Sequence, residues 1–277
     1  MKVGVLGMGH FAGVVAMCLA DKGHDIVQWD EHPPLLREGH PRADEEPGYQ
    51  PYSANRVFVT CDPRNLTYCD LLWACWDAPL DTRGRADPAN VIRRLGRLVL
   101  VLPVRALIVA SCQWPVGTTR QLQQQWPSVR IAYVMENVRV GHAIDDFLLA
   151  PAMMVGVRPE QDREVIVRLL APFATRIEWM STESAELAKH TLNAWLGLQI
   201  AFINEIARVS HVVGADAEDV ARALFADARV SPLAPLHPGP PFGGGSLQRD
   251  ILQLMDLSDA HGVKMPIVRA ILASNTP

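Results

Sequence analysis

The stretch from Lys2 to Asp30, KVGVLGMGHFAGVVAMCLADKGHDIVQWD, decides how the rest of the chain is read. It opens on a short apolar run, KVGVL (2–6), turns through GMGHFA (7–12), and continues as a helical stretch to Lys22-Gly23. A second apolar run, DIVQWD (25–30), then ends in Asp30. Strand, glycine turn, helix, strand and acid, in that order, form the pattern of a dinucleotide-binding fold. Gly7 allows the tight turn, and Gly9 lets the backbone approach a pyrophosphate with no Cβ in the way. Ala12 stands where a third glycine is usual, and its single methyl still permits close helix–strand packing. The helix that starts at His10, Phe11 and Ala12 offers its N–H groups and positive dipole end to phosphates. Asp30 lies 23 residues after Gly7. A carboxylate there accepts hydrogen bonds from ribose hydroxyls and repels a 2′-phosphate, so the expected cofactor is NAD, not NADP.

Working outward, further apolar runs read as strands: RVFVT, DLLWACW, RLVLVL, ALIVAS, RIAYVM, AMMVGV and RIEWM. Helical or polar stretches such as DPANVIRRLGRL and TTRQLQQQW separate them. The alternation predicts an α/β, Rossmann-type, doubly wound and largely parallel sheet over residues 1–180. From Thr182 the pattern changes to one long apolar helix, TESAELAKHTLNAWLGLQIAFINEIARVSHVV, interrupted only by Gly197 and stopped at Gly214. Thr182 is read as its cap, with Glu183 and Glu186 in the first turns. An all-α domain over residues 181–277 is therefore expected, dimerising through the long helix near 182–213 because its apolar surface wraps most of the way round.

Bulk composition excludes several classes. The chain has 277 residues, 49% hydrophobic and 20% charged, with a net charge of −4 and no basic run to neutralise phosphates, so nucleic acid is not an expected partner. The five cysteines, at 18, 61, 69, 75 and 112, lack metal or redox spacing, so no metal is expected and a reducing cytoplasm is. The apolar N-terminus is broken by glycines at 4, 7, 9 and 13, unlike a signal peptide, and LNAWLGLQIAFI is too short to cross a bilayer.

Lys189 and Asn193 interrupt the apolar helix one turn apart, on the same face. Lysine is usually solvated. Beside a dinucleotide site, however, an ammonium and an amide pointing into a cleft suit alcohol oxidation: the lysine exchanges a proton with the hydroxyl, and both donors stabilise the developing oxyanion. After a short helix, AEDVARALFAD, comes a loop dense in proline and glycine that ends in GPPFGGGSLQRD (239–250). Helical sequence then resumes.

Taken together these motifs resemble the UDP-glucose/GDP-mannose dehydrogenase superfamily over nearly the whole chain. GMGHFAGVVAMCLADKGHDIVQWD is similar to GxGYVGLxxAxxLAxxGHxVxGxD, DAPLDTRGRADPANV to TPxDxxGxxDxxxV, and SCQWPVGTT to STVPPGTT. MENVRVGHA resembles PExLRxGxA, ELAKHTLNAWLGLQIAFINEIA resembles ExxKxxxNxxLxxxIxFxNEIA, and GPPFGGGSLQRD resembles GPGFGGSCLPKD. The resemblance implies that Glu136 handles water and protons, that Lys189 and Asn193 stabilise an oxyanion, and that Asp250 closes the catalytic loop. Ala78 and Gln113 stand where the family has threonines and are expected beside the cofactor. Arg139, Arg249 and the glycines Gly243, Gly244 and Gly245 are the expected substrate contacts. Ser246 falls on the family's nucleophilic cysteine, Val140 on a second glutamate and Arg249 on a lysine. The family's third, nucleotide-binding domain is expected to be absent.

The family oxidises a primary alcohol to an acid in two NAD-dependent steps through a thioester. A serine hydroxyl ionises far less readily than a thiol and needs an adjacent base. The expectation is therefore a single two-electron hydride transfer on a sugar-like, nucleotide-linked or hydroxy-acid substrate. Two alternatives stand beside it: full oxidation to the acid with Ser246 as acyl carrier, and a catalytically silent NAD-binding partner subunit. Cys112 is read as a buried structural thiol, with a substitute nucleophile as the other reading.

Overall fold

In the first strand, β1 (Lys2–Leu6), every residue after Lys2 is buried, as expected of a strand covered on both faces. It pairs in parallel with β2 (Asp25–Trp29) on one side and β4 (Leu71–Ala74) on the other. With β3 (Val57–Thr60), β5 (Leu107–Ala110), β6 (Arg130–Val134), β7 (Met153–Gly156) and β8 (Ile177–Met180) they make one sheet of order β3-β2-β1-β4-β5-β6-β7-β8. Among the described strands only the β6–β7 pair is antiparallel. The structure, a computed structural model, describes residues 1–31, 56–158, 162–243 and 245–276.

Alternation along the strands selects the core. Val3, Val5, Leu71, Trp73, Leu107, Val109, Ala132 and Val134 belong to one buried cluster. Ala12, Val15 and Leu19 of α1 (His10–Asp21), Phe147 of α4 (Ala143–Leu148) and Ile166 and Leu170 of α5 (Arg163–Leu170) complete it. The intervening Leu72, Ile108 and Ile131 are equally buried, which explains why these strands read as continuous apolar runs.

The run RLVLVL (97–102) is not the strand its composition suggests. It ends α2 (Pro88–Val99), whose start is fixed by Asp87 accepting a hydrogen bond from the Ala89 N–H and by Pro88 at the first helical position. Val91, Leu95 and Leu98 are buried at helical spacing, whereas Leu100 is 85% exposed. Capping and period three-and-four burial override the local β-propensity.

By contact the chain divides into Met1–Pro79 with Asp87–Leu187, and Leu80–Ala86 with Ala188–Pro277. In the second unit α6 (Thr182–Val213) packs Ala194 and Ala201 against Ile251 and Leu254 of α8 (Gly245–His261) and Ile271 of α9 (Pro266–Ser274). A Cβ on Gly197 would meet the Ile251 side chain at 3.0 Å, so this interior glycine sets how closely α8 approaches. Ile203 packs instead on Ala221 of α7 (Ala217–Phe225). Leu80–Ala86 joins the same unit through the Arg85 fork on Asp256, at 2.9 and 3.0 Å.

Both ends of the long helix follow local chemistry. Gly214 stops it at φ +75°. Its cap is Ser181, not Thr182: the Ser181 Oγ accepts from the Ser184 N–H at 3.1 Å, while the Thr182 hydroxyl donates to Glu183. A doubly wound, mostly parallel sheet followed by a helical region on one long helix is thus the architecture found. Among the described residues no helix is long and apolar enough to cross a membrane.

Candidate functional site

The parallel strands of the first unit deliver a row of polar and glycine positions to one edge of the sheet. Gly7 and Gly9 follow β1, Asp30 follows β2, Trp76 and Ala78 follow β4, Gln113 follows β5 and Glu136 follows β6. In open α/β sheets this carboxyl edge, where the strand order reverses, is where ligands bind. The turn is pinned: the buried Gln28 amide donates to the Gly7 carbonyl at 2.9 Å, and the Gly7 N–H reaches the Trp29 carbonyl at 2.9 Å. Gly7 itself has φ +119°, which a side chain would strain.

These residues fit a dinucleotide. Among the described residues no side chain caps the start of α1, and its first turn holds no acid, so His10, Phe11 and Ala12 open a helix N-terminus suited to phosphate. The nearest atom, among the described residues, to a Cβ built on Gly9 is an Asp77 carboxylate oxygen at 3.7 Å, an ordinary contact distance that leaves that backbone approachable. Ala78 and Gln113 are buried at the same edge. Glu136 is partly buried and accepts from the Val138 N–H at 3.4 Å.

Asp30 is engaged by this chain's own groups. One carboxylate oxygen accepts from Arg94 at 2.7 Å, and the other accepts from the Trp76 indole N–H at 3.3 Å. Neither partner is marked by any sequence motif. Arg94 is 64 residues away and Trp76 46.

The second unit holds a buried polar cluster. Lys189, His190 and Asn193 lie within an arc of about 100° on α6, and all three are buried. Asp250 of α8, with no exposed surface, accepts from the Asn193 amide on one oxygen and meets His190 Nδ1 at 3.2 Å on the other. Arg249 is buried beside it, its Nε 3.4 Å from the same carboxylate. Burial alone pushes the Asp250 carboxyl up. The His190 hydrogen bond and the charges of His190, Arg249 and Lys189 outweigh that and hold it below the usual aspartate range. The fold thus gathers Lys189, Asn193, Arg249 and Asp250 and adds His190, which stands three residues before Asn193 and so shares its helix face.

Ser246 lies in the first turn of α8 and is exposed, as are Gly243 and Gly245. Gly244 lies outside the described residues. Arg139 is exposed and forms a fork on Asp146, with contacts of 2.9 and 2.6 Å. Cys112 is fully enclosed, and burial pushes its thiol up to about 12, so it is not a ready thiolate.

Glu186 does something other than support its own helix. It is fully buried and accepts from the N–H groups of Gly117 (2.6 Å) and Thr119 (2.9 Å), the Thr119 hydroxyl (2.6 Å) and the Trp114 indole (2.8 Å). It therefore caps the start of α3 (Thr118–Gln125), which has only Gly117 at its own cap position. The glutamate that opens the ExxK pattern was the available signal for this role.

A dinucleotide-type α/β unit joined to a helical unit bearing a buried lysine–asparagine–aspartate cluster defines the class. Residues 1–174 match the NAD binding domain of the UDP-glucose/GDP-mannose dehydrogenase family, and residues 183–277 match its central domain. The chain belongs to that family. It is 27% identical to the UDP-glucose 6-dehydrogenase of Pseudomonas aeruginosa, covering 99% of this chain and 65% of that protein. Its identity to the Rhizobium meliloti UDP-glucose 6-dehydrogenase is 29%, covering 99% and 67%. The chain thus spans about two thirds of the length of these relatives. A UDP-glucose dehydrogenase from Pyrobaculum islandicum shares the fold with a TM-score of 0.87 at 24% identity, covering 99% of this chain and 67% of that one. A Mycobacterium tuberculosis 3-hydroxyisobutyrate dehydrogenase shares it at 0.73 and 18% identity, covering 98% and 90%.

Proposed function

We propose that the protein is an NAD-dependent oxidoreductase of the nucleotide-sugar dehydrogenase type that carries out one two-electron step between an alcohol and a carbonyl. The substrate is sugar-like, nucleotide-linked or a hydroxy acid. Family membership and relatives named as UDP-glucose 6-dehydrogenases support the reaction class. The observation that carries the mechanism is the buried Asp250, which holds the Asn193 amide beside a buried Lys189.

NAD, when bound, supplies the acceptor for the hydride. Gly7, Gly9, His10, Phe11 and Ala12 would hold its pyrophosphate, Asp30 its ribose, and Ala78 and Gln113 would lie beside it. As the alcohol C–H leaves as hydride, the O–H proton goes to Lys189. The lysine must first have released its own proton to solvent, so that a neutral amine is there to accept it; the ammonium form then donates to the oxygen. Asn193 donates to the oxygen while negative charge develops on it. Asp250 keeps the amide in one orientation and balances the neighbouring cations. Glu136 handles protons at the sheet edge, and Arg139 in the first unit and Arg249, Gly243 and Gly245 in the second are the candidate substrate residues.

A single step is favoured because no cysteine follows Cys112 in the sequence. Ser246 supplies only a hydroxyl, which requires an adjacent base to act as an acyl carrier. Counting NADH on UDP-glucose, GDP-mannose and small 3-hydroxy acids tests this directly. One NADH per substrate with a carbonyl product is expected; two NADH with an acid product would establish full oxidation through Ser246. Lys189→Ala should abolish turnover and leave the NAD Kd unchanged. Undiminished turnover would remove lysine from the reaction.

We further propose a homodimer through α6. Trp195, Phe202 and Val209 recur every seven residues and are 56%, 45% and 58% exposed, an apolar stripe that a second copy would cover. All five cysteines are free thiols, which fits a reducing cytoplasm.

A further inference from the structure

We propose that Arg94 and Trp76 are positioning residues for the adenosine ribose of the cofactor, clamping the Asp30 carboxylate and tempering its rejection of a 2′-phosphate. The inference rests on the reading above that Asp30 receives the ribose.

Three contacts close a triangle. Arg94 donates to one oxygen of Asp30 at 2.7 Å, the Trp76 N–H reaches the other at 3.3 Å, and the Arg94 guanidinium lies 4.5 Å over the Trp76 ring. The indole is buried and held edge-on by Trp29, with ring centroids 6.1 Å apart. Its other side meets the glycine turn: a Cβ on Gly7 would come within 3.0 Å of Trp76 Cδ1. One side chain therefore touches both the turn suited to the pyrophosphate and the acid suited to the ribose.

Two consequences follow. A carboxylate fixed by two donors has already lost its rotational freedom, so ordering it does not weaken cofactor binding. Among the described residues the charge at this corner is also matched. Asp30 faces Arg94, and the next acid, Glu31, faces Arg97 at 3.1 Å and Arg94 at 3.7 Å. An unaccompanied aspartate excludes NADP by repulsion, whereas an arginine nearby accommodates the added phosphate. With both present, Asp30 alone does not set the exclusion. Removing Arg94 should weaken NAD and weaken NADP further.

Isothermal titration of the full chain with NAD and NADP tests this with Arg94→Met, Asp30→Ala and their combination. Arg94→Met should raise the NAD Kd about tenfold, the size of one charge-assisted hydrogen bond, and the NADP Kd by more. In the Asp30→Ala background the same change should have little further effect on NAD, because the arginine acts through the carboxylate. Equal weakening with and without Asp30, or none in either, would overturn the clamp. If Asp30→Ala leaves NAD affinity intact, the ribose assignment itself falls, and the clamp with it. Trp76→Phe keeps the ring under Arg94 and deletes only the N–H. It should raise the NAD Kd several-fold without changing the NAD-to-NADP ratio, about the loss of one neutral hydrogen bond. An unchanged NAD Kd there would remove the indole from the clamp, and thermal melts confirm that each variant is folded.

Discussion

Glu186 and Asp250 are both fully buried carboxylates, yet their surroundings differ in kind. Glu186 is held by neutral donors, two of them backbone N–H groups at the start of α3, and burial raises its carboxyl above the usual glutamate range. Asp250 also feels the penalty of burial, but His190, Arg249 and Lys189 reverse it and the carboxyl ends below its usual range. Neutral donors satisfy a carboxylate without needing its charge. Cations need it, because an unbalanced charge in the interior is far costlier than an unmade hydrogen bond. Glu186 is therefore a structural cap, and Asp250 is the counter-charge that makes a buried lysine tolerable.

The sharpest way to break this contrast is Asp250→Ala, which strands buried cations and should cost about 3–5 kcal/mol in chemical denaturation. Asp250→Asn keeps the shape but not the charge and should remain clearly destabilising. Glu186→Gln keeps one oxygen for the neutral donors but turns an N–H onto another of them, and should cost about 1–3 kcal/mol. If the two isosteric changes cost the same, charge is not what separates the sites.

The pH dependence of stability should carry opposite signs at the two positions. The contribution of Asp250 is complete above its unfolded value near 3.8 and disappears as pH falls through its lower folded value. Glu186 has a folded value above 4.5, so it costs stability as pH rises from about 4.5 through that folded value. Melting curves from pH 3 to 7 should therefore show Glu186→Gln gaining on the parent toward neutrality and Asp250→Asn losing ground. Curves that run parallel would show that neither group is shifted as described. The smallest effect on folding belongs to Trp195→Glu, within about 0.5 kcal/mol because the side chain is exposed. Its signature is mass: if α6 forms the proposed dimer, sedimentation should show a dimer for the parent and a monomer for the variant.

How much of this was readable in advance depended on distance along the chain. Gly7, Gly9 and Asp30 declare themselves through spacing within one strand–helix–strand unit, and Lys189 with Asn193 through a single helical turn. The helical character of RLVLVL was masked because apolar content outweighed the Asp87-Pro88 start signal. Ser181 lost the cap position to Thr182 on a one-residue ambiguity that only a backbone geometry resolves. The two donors on Asp30, and the bond from His190 to Asp250, join residues 46 to 64 apart, and no local period records such pairs.

The sequence by itself determined the order of elements, the glycine turn with its acid, the long helix and the absence of any thiol beyond Cys112. These are statements about neighbours in the chain, where steric limits, helix period and residue identity act directly. Only the tertiary structure decided which partner each carboxylate keeps, and hence whether its charge is used or merely tolerated. Electrostatic character in a buried site is set by what surrounds it in space, and that is assembled from distant segments by packing.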